Sequence, residues 1–166
     1  MKTLIIYASI YGFSEECVND LKNQINGDVE TFNVASEGKP QFDHYDNIVI
    51  GGPIYMGKLP KKLTGYVSKN IPELSGKRLA LFICCGLPEN FEQHIKNNFP
   101  AELTQKAVVV ECFGGELRTD KMNFGHKMIT QAMEKAQSKE GKSKPAKIPE
   151  NIQKLAAAIN QNEFGV

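Results

Sequence analysis

Apolar positions along this chain fall into two patterns, short continuous runs and segments with a helical period. Segments 4–8, 47–51, 77–85 and 107–113 each contain a continuous apolar run, and together with a more alternating segment at 28–34 they predict five strands. Runs that are almost wholly apolar are typical of strands buried on both faces of a parallel sheet. The pattern therefore predicts a central sheet with helices between its strands.

Segments with a helical period lie between these strands. In the first of them, Cys17, Leu21 and Ile25 share one face, and Ser14 is the expected N-cap. Residues 35–45 contain glycine and proline without a helical stripe, so they predict a loop with at most one helical turn. The other predicted helices follow Pro60, end at Pro100, span 122–137 and start at Pro149.

The alternation of strands and helices predicts a three-layer, doubly wound α/β fold with a five-stranded parallel sheet. Two doubly wound strand orders fit. The length of 166 residues and the polar turn directly after the first strand favour order 2-1-3-4-5. One domain over 1–166 is expected, with a flexible lysine-rich loop at 138–147. Ligands of such sheets bind beyond the carboxyl ends of the strands, so functional residues should follow strands one, three and four.

The composition is that of an ordinary globular protein, with 41% hydrophobic and 23% charged residues and a formal net charge of +1. No apolar run approaches the roughly 20 residues that span a bilayer. The chain enters a strand at once, so neither an integral membrane segment nor a signal peptide is expected. The four cysteines lack metal-binding spacing and favour a reducing cytoplasm. No nucleic-acid partner is expected.

The turn at residues 9–14 carries the clearest functional signal. It contains two serines, a tyrosine and a glycine, and it leads directly into a helix. Backbone N–H groups and the positive end of the helix dipole meet in such a turn, so it can bind a phosphate without lysine or arginine. An ordinary strand-to-helix turn without a ligand is the alternative interpretation.

This turn resembles the FMN-phosphate loop of the flavodoxins. In that family, hydroxyl residues and a glycine surround the phosphate of FMN, and Ser9, Tyr11, Gly12 and Ser14 occupy those places here. Tyr11 departs from the family, which usually has threonine there. Its phenol is bulkier but can still donate a hydrogen bond. The resemblance implies FMN as the cofactor and a phosphate site made of Ser9, Ile10, Tyr11, Gly12, Phe13 and Ser14.

The loops after strands three and four extend the resemblance. The first contains glycines, a proline and large apolar residues, which suit one face of a flat ring. By resemblance, Tyr55 or Met56 contacts the ring, and the peptide of Gly57 can flip toward the flavin, as glycine permits. The second loop has no aromatic residue before Phe91, so Leu87 is the nearest cover and that ring face is expected to be open. The implied ring contacts are Gly52, Pro53, Ile54, Tyr55, Met56, Gly57, Cys85, Gly86 and Leu87.

The adjacent cysteines Cys84 and Cys85 raise the alternative of thiol redox chemistry. A disulfide between neighbours is strained, and buried cysteines at strand ends are common. No histidine or positive cluster stands next to them in the sequence to lower a thiol pKa. No catalytic role is therefore expected for the pair.

Two further segments resemble the flavodoxin-domain branch that includes the flavodoxin-type protoporphyrinogen oxidase. They are residues 51–59 and 113–117, the second followed by a methionine- and phenylalanine-rich helix around 122–133. The bacterial oxidase carries a long insertion after strand four, whereas residues 86–105 here suffice only for a loop and one helix. The net charge of +1 also gives little long-range steering toward basic redox partners.

The resemblance implies an FMN-binding redox protein that passes electrons between a reductase or oxidase partner and an acceptor. The alternative is a flavin-dependent enzyme, either a quinone-linked oxidase of the protoporphyrinogen type or a quinone reductase. The implied partner is a redox protein or a small acceptor such as a quinone. A flavin-less module of the same fold is a third possibility. A response-regulator receiver is not favoured, because its acidic residues are absent after strands one and three.

Overall fold

The described part of the chain contains one sheet of five parallel strands. A computed structural model describes residues 1–116, 118, 120–141 and 144–161, apart from the side chain of Gln137. In chain order the strands are β1 (Lys2–Tyr7), β2 (Asp28–Asn33), β3 (Asn47–Pro53), β4 (Arg78–Cys84) and β5 (Val109–Cys112). Their order in the sheet is β2-β1-β3-β4-β5. This order confirms the predicted doubly wound α/β architecture.

Helices separate most of these strands. The described helices are α1 (Phe13–Lys22), α2 (Lys61–Lys69), α3 (Ile71–Ser75), α4 (Phe91–Asn98), α5 (Ala101–Lys106), α6 (Phe124–Lys139) and α7 (Pro149–Asn160). The sequence pattern does not predict α3 or α5, because helices of five and six residues are too short to show a repeat. The predicted loop after β2 contains a single 3₁₀ turn at Phe42–His44. Within the described residues, no helix is long and apolar enough to cross a membrane.

Helices cover both faces of the sheet, because successive strand residues point to opposite sides. Leu4 and Ile6 of β1 belong to the core that the sheet forms with α2–α5. Ile5 and Tyr7 belong to the opposite core, formed with α1 and α7. Burial on both faces explains why the central strands are apolar at nearly every position. No described residue of α6 belongs to either core.

The start of α1 differs from the prediction. The helix begins at Phe13, and Gly12 occupies the N-cap position with a left-handed backbone of φ 90° and no side-chain cap. Ser14 lies inside the first turn, so the prediction that it caps the helix is wrong. The Gly12 N–H donates to the Ser9 hydroxyl at 3.2 Å. This hydrogen bond closes a turn over residues 9–12, which precedes Ser14 in the chain.

The boundaries near the last strand also differ from the sequence pattern. β5 begins two residues later than predicted, at Val109, and α6 runs on to Lys139. The first two residues of the predicted 138–147 loop are therefore helical. Leu117, in the segment that resembles the oxidase branch, and Lys142, in the lysine-rich loop, lie outside the described residues.

Candidate functional site

The carboxyl ends of β1, β3 and β4 lie side by side at one edge of the sheet. Tyr7 is paired with Gly51, and Gly51 is paired with Phe82. The loops that follow these three strands therefore leave the sheet at the same level. Because β1 lies where the strand order reverses, this edge is the crevice in which doubly wound sheets bind ligands.

The turn between β1 and α1 leaves polar groups without protein partners. Among the described residues, the backbone N–H groups of Ile10 and Tyr11 have no hydrogen-bond acceptor, and the first N–H groups of any helix lack intrahelical partners. Ser14 is 2% exposed, and its hydroxyl lies near the Cys84 thiol without a hydrogen bond of normal geometry in the described structure. A buried polar group left unpaired costs about 1–3 kcal/mol. An anion at this helix N-terminus would satisfy these donors.

The loop after β3 is a tight hairpin turn. Tyr55 and Lys58 exchange two backbone hydrogen bonds, at 2.9 and 3.0 Å. Between them, Met56 and Gly57 both have positive φ, of 49° and 76°, as a type I′ turn requires. The Asn98 side-chain amide, at the end of α4, donates to the Gly57 carbonyl at 2.9 Å. The side chain of Asn98 therefore stabilises this conformation of the turn.

The loop after β4 is held by a cysteine and by a close approach of two backbones. The Leu87 N–H donates to Cys85 Sγ at 3.4 Å. A methyl group at Gly115 would lie 2.8 Å from the Gly86 nitrogen, so glycine lets the loops after β4 and β5 touch. Burial raises the pKa of the Cys85 thiol to about 11 and that of Cys84 well above its usual value. Both groups are thiols at neutral pH, which is the unreactive form.

A cavity of about 350 Å³ lies between these three loops. Its volume falls within the usual range for small-molecule sites, about 300–1,000 Å³. The predicted site residues that line it are Ile10, Tyr11, Phe13, Ser14, Pro53, Ile54, Tyr55, Met56, Gly57, Cys85, Gly86 and Leu87. Ser9 and Gly12 are not in its wall and instead shape the turn. Gly52 lies within β3, where a methyl group would be 3.2 Å from Leu63.

Helix α6 forms a further wall of the cavity that sequence reasoning missed. The lining residues from this region are Met122, Ile129, Thr130, Met133 and Glu134. The sequence offers one signal for this wall, the methionine-rich composition of 122–133. Apolar spacing is the same for a helix on a core and for a helix on a cavity, so the pattern cannot assign the role.

The start of α6 contacts two of the three loops through His126. The Tyr11 phenol forms a hydrogen bond with His126 Nδ1, and the Tyr55 hydroxyl donates to the His126 carbonyl at 3.3 Å. The Tyr55 and His126 rings have centroids 4.3 Å apart and planes tilted by 34°. The Tyr11 hydroxyl, which the resemblance implies as a phosphate donor, is therefore engaged with a helix 115 residues away.

Two cations from later in the chain lie beside the turn, although the turn itself contains none. Arg118 donates to the Tyr11 carbonyl at 3.5 Å and forms an ion pair with Glu16. Lys147 pairs with Glu16 at 2.6 Å and with Asp20 at 2.8 Å. Hydrogen bonds from Lys147 and Arg118 lower the pKa of Glu16. These pairs offset an acidic side chain in the first turn of α1 that would otherwise repel a bound anion.

The strand order defines a doubly wound α/β protein, and its cavity lies at the switch point where such proteins bind ligands. A family model described as flavodoxin domain matches residues 4–144. The chain therefore belongs to the flavodoxin-domain family. The comparison with curated proteins gives no match.

Three similar solved structures are flavodoxins. A short-chain flavodoxin associated with a PDU bacterial microcompartment is 13% identical with a TM-score of 0.62, over 98% of each chain. The flavodoxin of Streptococcus pneumoniae TIGR4 is 14% identical with a TM-score of 0.59, over 98% of this chain and 99% of its own. The flavodoxin of Fusobacterium nucleatum bound to flavin mononucleotide is 12% identical with a TM-score of 0.57, over 97% and 98%. At these identities the likeness establishes the fold alone.

Proposed function

We propose that this chain binds FMN and works as a redox protein of the flavodoxin type. The observation that carries the proposal is the turn before α1, whose free N–H groups and unpartnered Ser14 hydroxyl adjoin a largely apolar cavity. FMN has a phosphate at one end and a flat ring at the other, so it matches both parts of the site. The Fusobacterium nucleatum flavodoxin, which has the same fold, is bound to this nucleotide.

The residues present fit both ends of FMN. The N–H groups of the turn and the hydroxyls of Ser9 and Ser14 would hold the phosphate, while Arg118 and Lys147 offset Glu16. The loops after β3 and β4 would hold the ring from two sides. The proposed site residues that line the cavity are Ile10, Tyr11, Phe13, Ser14, Pro53, Ile54, Tyr55, Met56, Gly57, Cys85, Gly86 and Leu87. Ser9, Gly12 and Gly52 complete the proposed site as backbone and turn positions next to this wall.

When bound, FMN supplies reversible electron transfer, and the protein's part is to hold the ring and set its surroundings. We propose that electrons pass between a reductase or oxidase partner and an acceptor. Met56 and Ile10 line the cavity and are 68% and 44% exposed, and we propose that a partner or small acceptor approaches the ring beside them. The four cysteines are free and buried, which suits the proposed reducing cytoplasm.

Titration with FMN and with riboflavin tests the binding proposal. We expect wild-type protein to quench FMN fluorescence and to bind riboflavin more weakly, because riboflavin lacks the phosphate. Ser14→Ala should lower FMN affinity by about tenfold, the size of one hydrogen bond to a charged group, and leave riboflavin affinity unchanged. Ser36→Ala, at an exposed serine, is the matched control. Equal affinities of wild type for the two flavins would overturn the phosphate site, and binding of neither would overturn the cofactor.

A second experiment separates a carrier from an enzyme. The FMN-loaded protein is reduced with dithionite, freed of excess reductant and mixed with oxidised cytochrome c. In parallel, the loaded protein is given protoporphyrinogen as donor with menadione as acceptor. A third sample receives a reduced nicotinamide as donor with menadione as acceptor. Rapid reduction of cytochrome c without porphyrinogen turnover supports the carrier. Steady turnover of protoporphyrinogen, or of menadione with a reduced nicotinamide, supports the enzyme and overturns the carrier.

A further inference from the structure

Helix α6 occupies an unusual place in this molecule. Thr130 is the only buried residue among its described side chains, and the large apolar residues Phe124, Met128 and Met133 are 78%, 55% and 48% exposed. A helix of 16 residues that buries so little does not contribute to the core of the sheet. Its inner side nevertheless lines the cavity with Ile129 and Met133.

The polar contacts of α6 with the sheet edge converge on one residue. His126 lies in the first turn of the helix, where its own N–H donates to Asn123 Oδ1 at 2.9 Å. Its ring accepts or donates a hydrogen bond at the Tyr11 phenol and packs against the Tyr55 ring. Its carbonyl accepts from the Tyr55 hydroxyl at 3.3 Å. Tyr11 belongs to the turn after β1 and Tyr55 to the turn after β3, so His126 joins α6 to both.

We propose that α6 is a further wall of the flavin site, beside the three loops, and that His126 is the positioning residue that holds it there through Tyr11 and Tyr55. The inference rests on the proposed FMN site. In this proposal the Tyr11 hydroxyl holds α6 through His126 and does not bind the phosphate. Ile129 and Met133 would then lie against the bound ring on the side that Leu87 alone does not cover. A flavin would enter and leave by displacing α6.

If the Tyr11–His126 contact holds α6 over the cavity, removing that contact should change the rate at which a bound flavin is released. Loss of the Tyr11–His126 contact should let α6 open more often, and this speeds the release of any ligand beneath it. Helix α6 would contact the ring, which FMN and riboflavin share, so both flavins should be released faster by the same factor. If Tyr11 instead bound the phosphate, its loss would speed the release of FMN alone, because riboflavin has no phosphate. The ratio of the two effects therefore separates the two roles of Tyr11.

Release of FMN and riboflavin is measured by stopped-flow fluorescence for wild type, Tyr11→Phe, His126→Ala and the double variant. Each single variant should release both flavins about two- to tenfold faster, the range expected for one net hydrogen bond. The double variant should be no faster than the faster single variant, because both remove the same contact. His44→Ala, at an exposed histidine outside the cavity lining, should match wild type.

Amide exchange of α6 in the flavin-free protein provides a readout that needs no cofactor. Exchange within 124–136 should be faster in Tyr11→Phe and His126→Ala than in wild type. Unchanged release and unchanged exchange would overturn the proposal. Tyr11 would instead be a phosphate ligand if Tyr11→Phe releases FMN faster but not riboflavin, and if His126→Ala releases both flavins at the wild-type rate. If wild type binds neither flavin, the proposed function fails, whereas the exchange experiment still decides whether His126 holds α6.

Discussion

Helices α6 and α7 both follow the last strand, yet they stand in different relations to the sheet. α7 buries one complete face, with Ile152, Leu155 and Ile159 packed in the core beside α1. α6 leaves Phe124 and most of its other large apolar residues partly in solvent. Both helices carry apolar residues at helical spacing, so the spacing alone does not separate them.

The difference shows that an apolar stripe can serve the core or a binding site. The stripe of α7 is satisfied by the sheet, and its burial contributes to the stability of the fold. The inner side of α6 faces a cavity and has a place for a ligand instead of a partner element. Folding stability should therefore depend on α7, and the response to ligand should appear in α6.

Truncation of one apolar side chain in each helix gives the largest expected contrast. Leu155→Ala should lower the free energy of unfolding by about 2–5 kcal/mol, because the side chain is fully buried and a cavity is left. Met133→Ala should lower it by less than about 1 kcal/mol, since half of Met133 is exposed. Urea denaturation followed by circular dichroism measures both. Equal losses would show that α6 belongs to the core and would remove the contrast.

Limited proteolysis sharpens the comparison in the presence of ligand. Trypsin should cut the flavin-free protein at Lys127 and Lys135 of α6 before it cuts at Lys154 of the well-packed α7. FMN at about 100 times its Kd should stabilise the folded protein by about 2.7 kcal/mol and slow the cuts in α6. Mass spectrometry of the early fragments identifies the sites. Early cleavage at Lys154, or no effect of FMN on α6, would contradict the assignment of roles.

Two strained glycines test whether the position of α6 depends on the turn before α1. Gly12 and Gly141 both have positive φ, of 90° and 74°, so alanine should cost about 1–2 kcal/mol at either. A methyl group at Gly12 would lie 3.2 Å from Arg118 Nη1, whereas Gly141 stands in open space. Gly12→Ala should therefore also weaken FMN binding and speed tryptic cleavage of α6. The same changes in Gly141→Ala would point to general destabilisation.

The smallest effect is expected at the ion pairs that tie the α6–α7 connection to α1. Burial lowers the pKa of Lys147, but its bonds to Asp20 and Glu16 outweigh burial and raise it. Lys147→Met should lower the free energy of unfolding at pH 7 by less than about 1 kcal/mol.

The pH dependence of that effect follows from the lowered pKa of Glu16. A carboxyl with a depressed folded-state pKa stabilises the fold above its usual value of 4.5, and this contribution is lost as the pH falls. Wild type and Lys147→Met should therefore converge in acid. Lys144→Met, at an exposed lysine in the same segment, should not differ from wild type at either pH. A difference that persists below the usual carboxyl range would exclude Glu16 as its source.

The sequence by itself determined the sheet and the edge of the sheet at which the candidate site lies. Short continuous apolar runs such as 79–83 are typical of strands covered on both faces, and their alternation with helices predicts a parallel, doubly wound order. The turn at 9–14 and the loops after β3 and β4 are local signals. A polar turn before a helix exposes N–H groups whatever the rest of the chain does. For that reason most of the predicted site residues line one cavity.

Only the tertiary structure decided what surrounds that cavity. The partner of the Tyr11 hydroxyl is 115 residues away, and Arg118 reaches the same turn from beyond β5. Neither contact leaves a local pattern, because side chains meet according to how elements pack and not according to their spacing in the chain. The role of α6 was hidden for the same reason. The helical period of its apolar residues predicts one apolar face, but it does not indicate whether a sheet or a ligand covers that face.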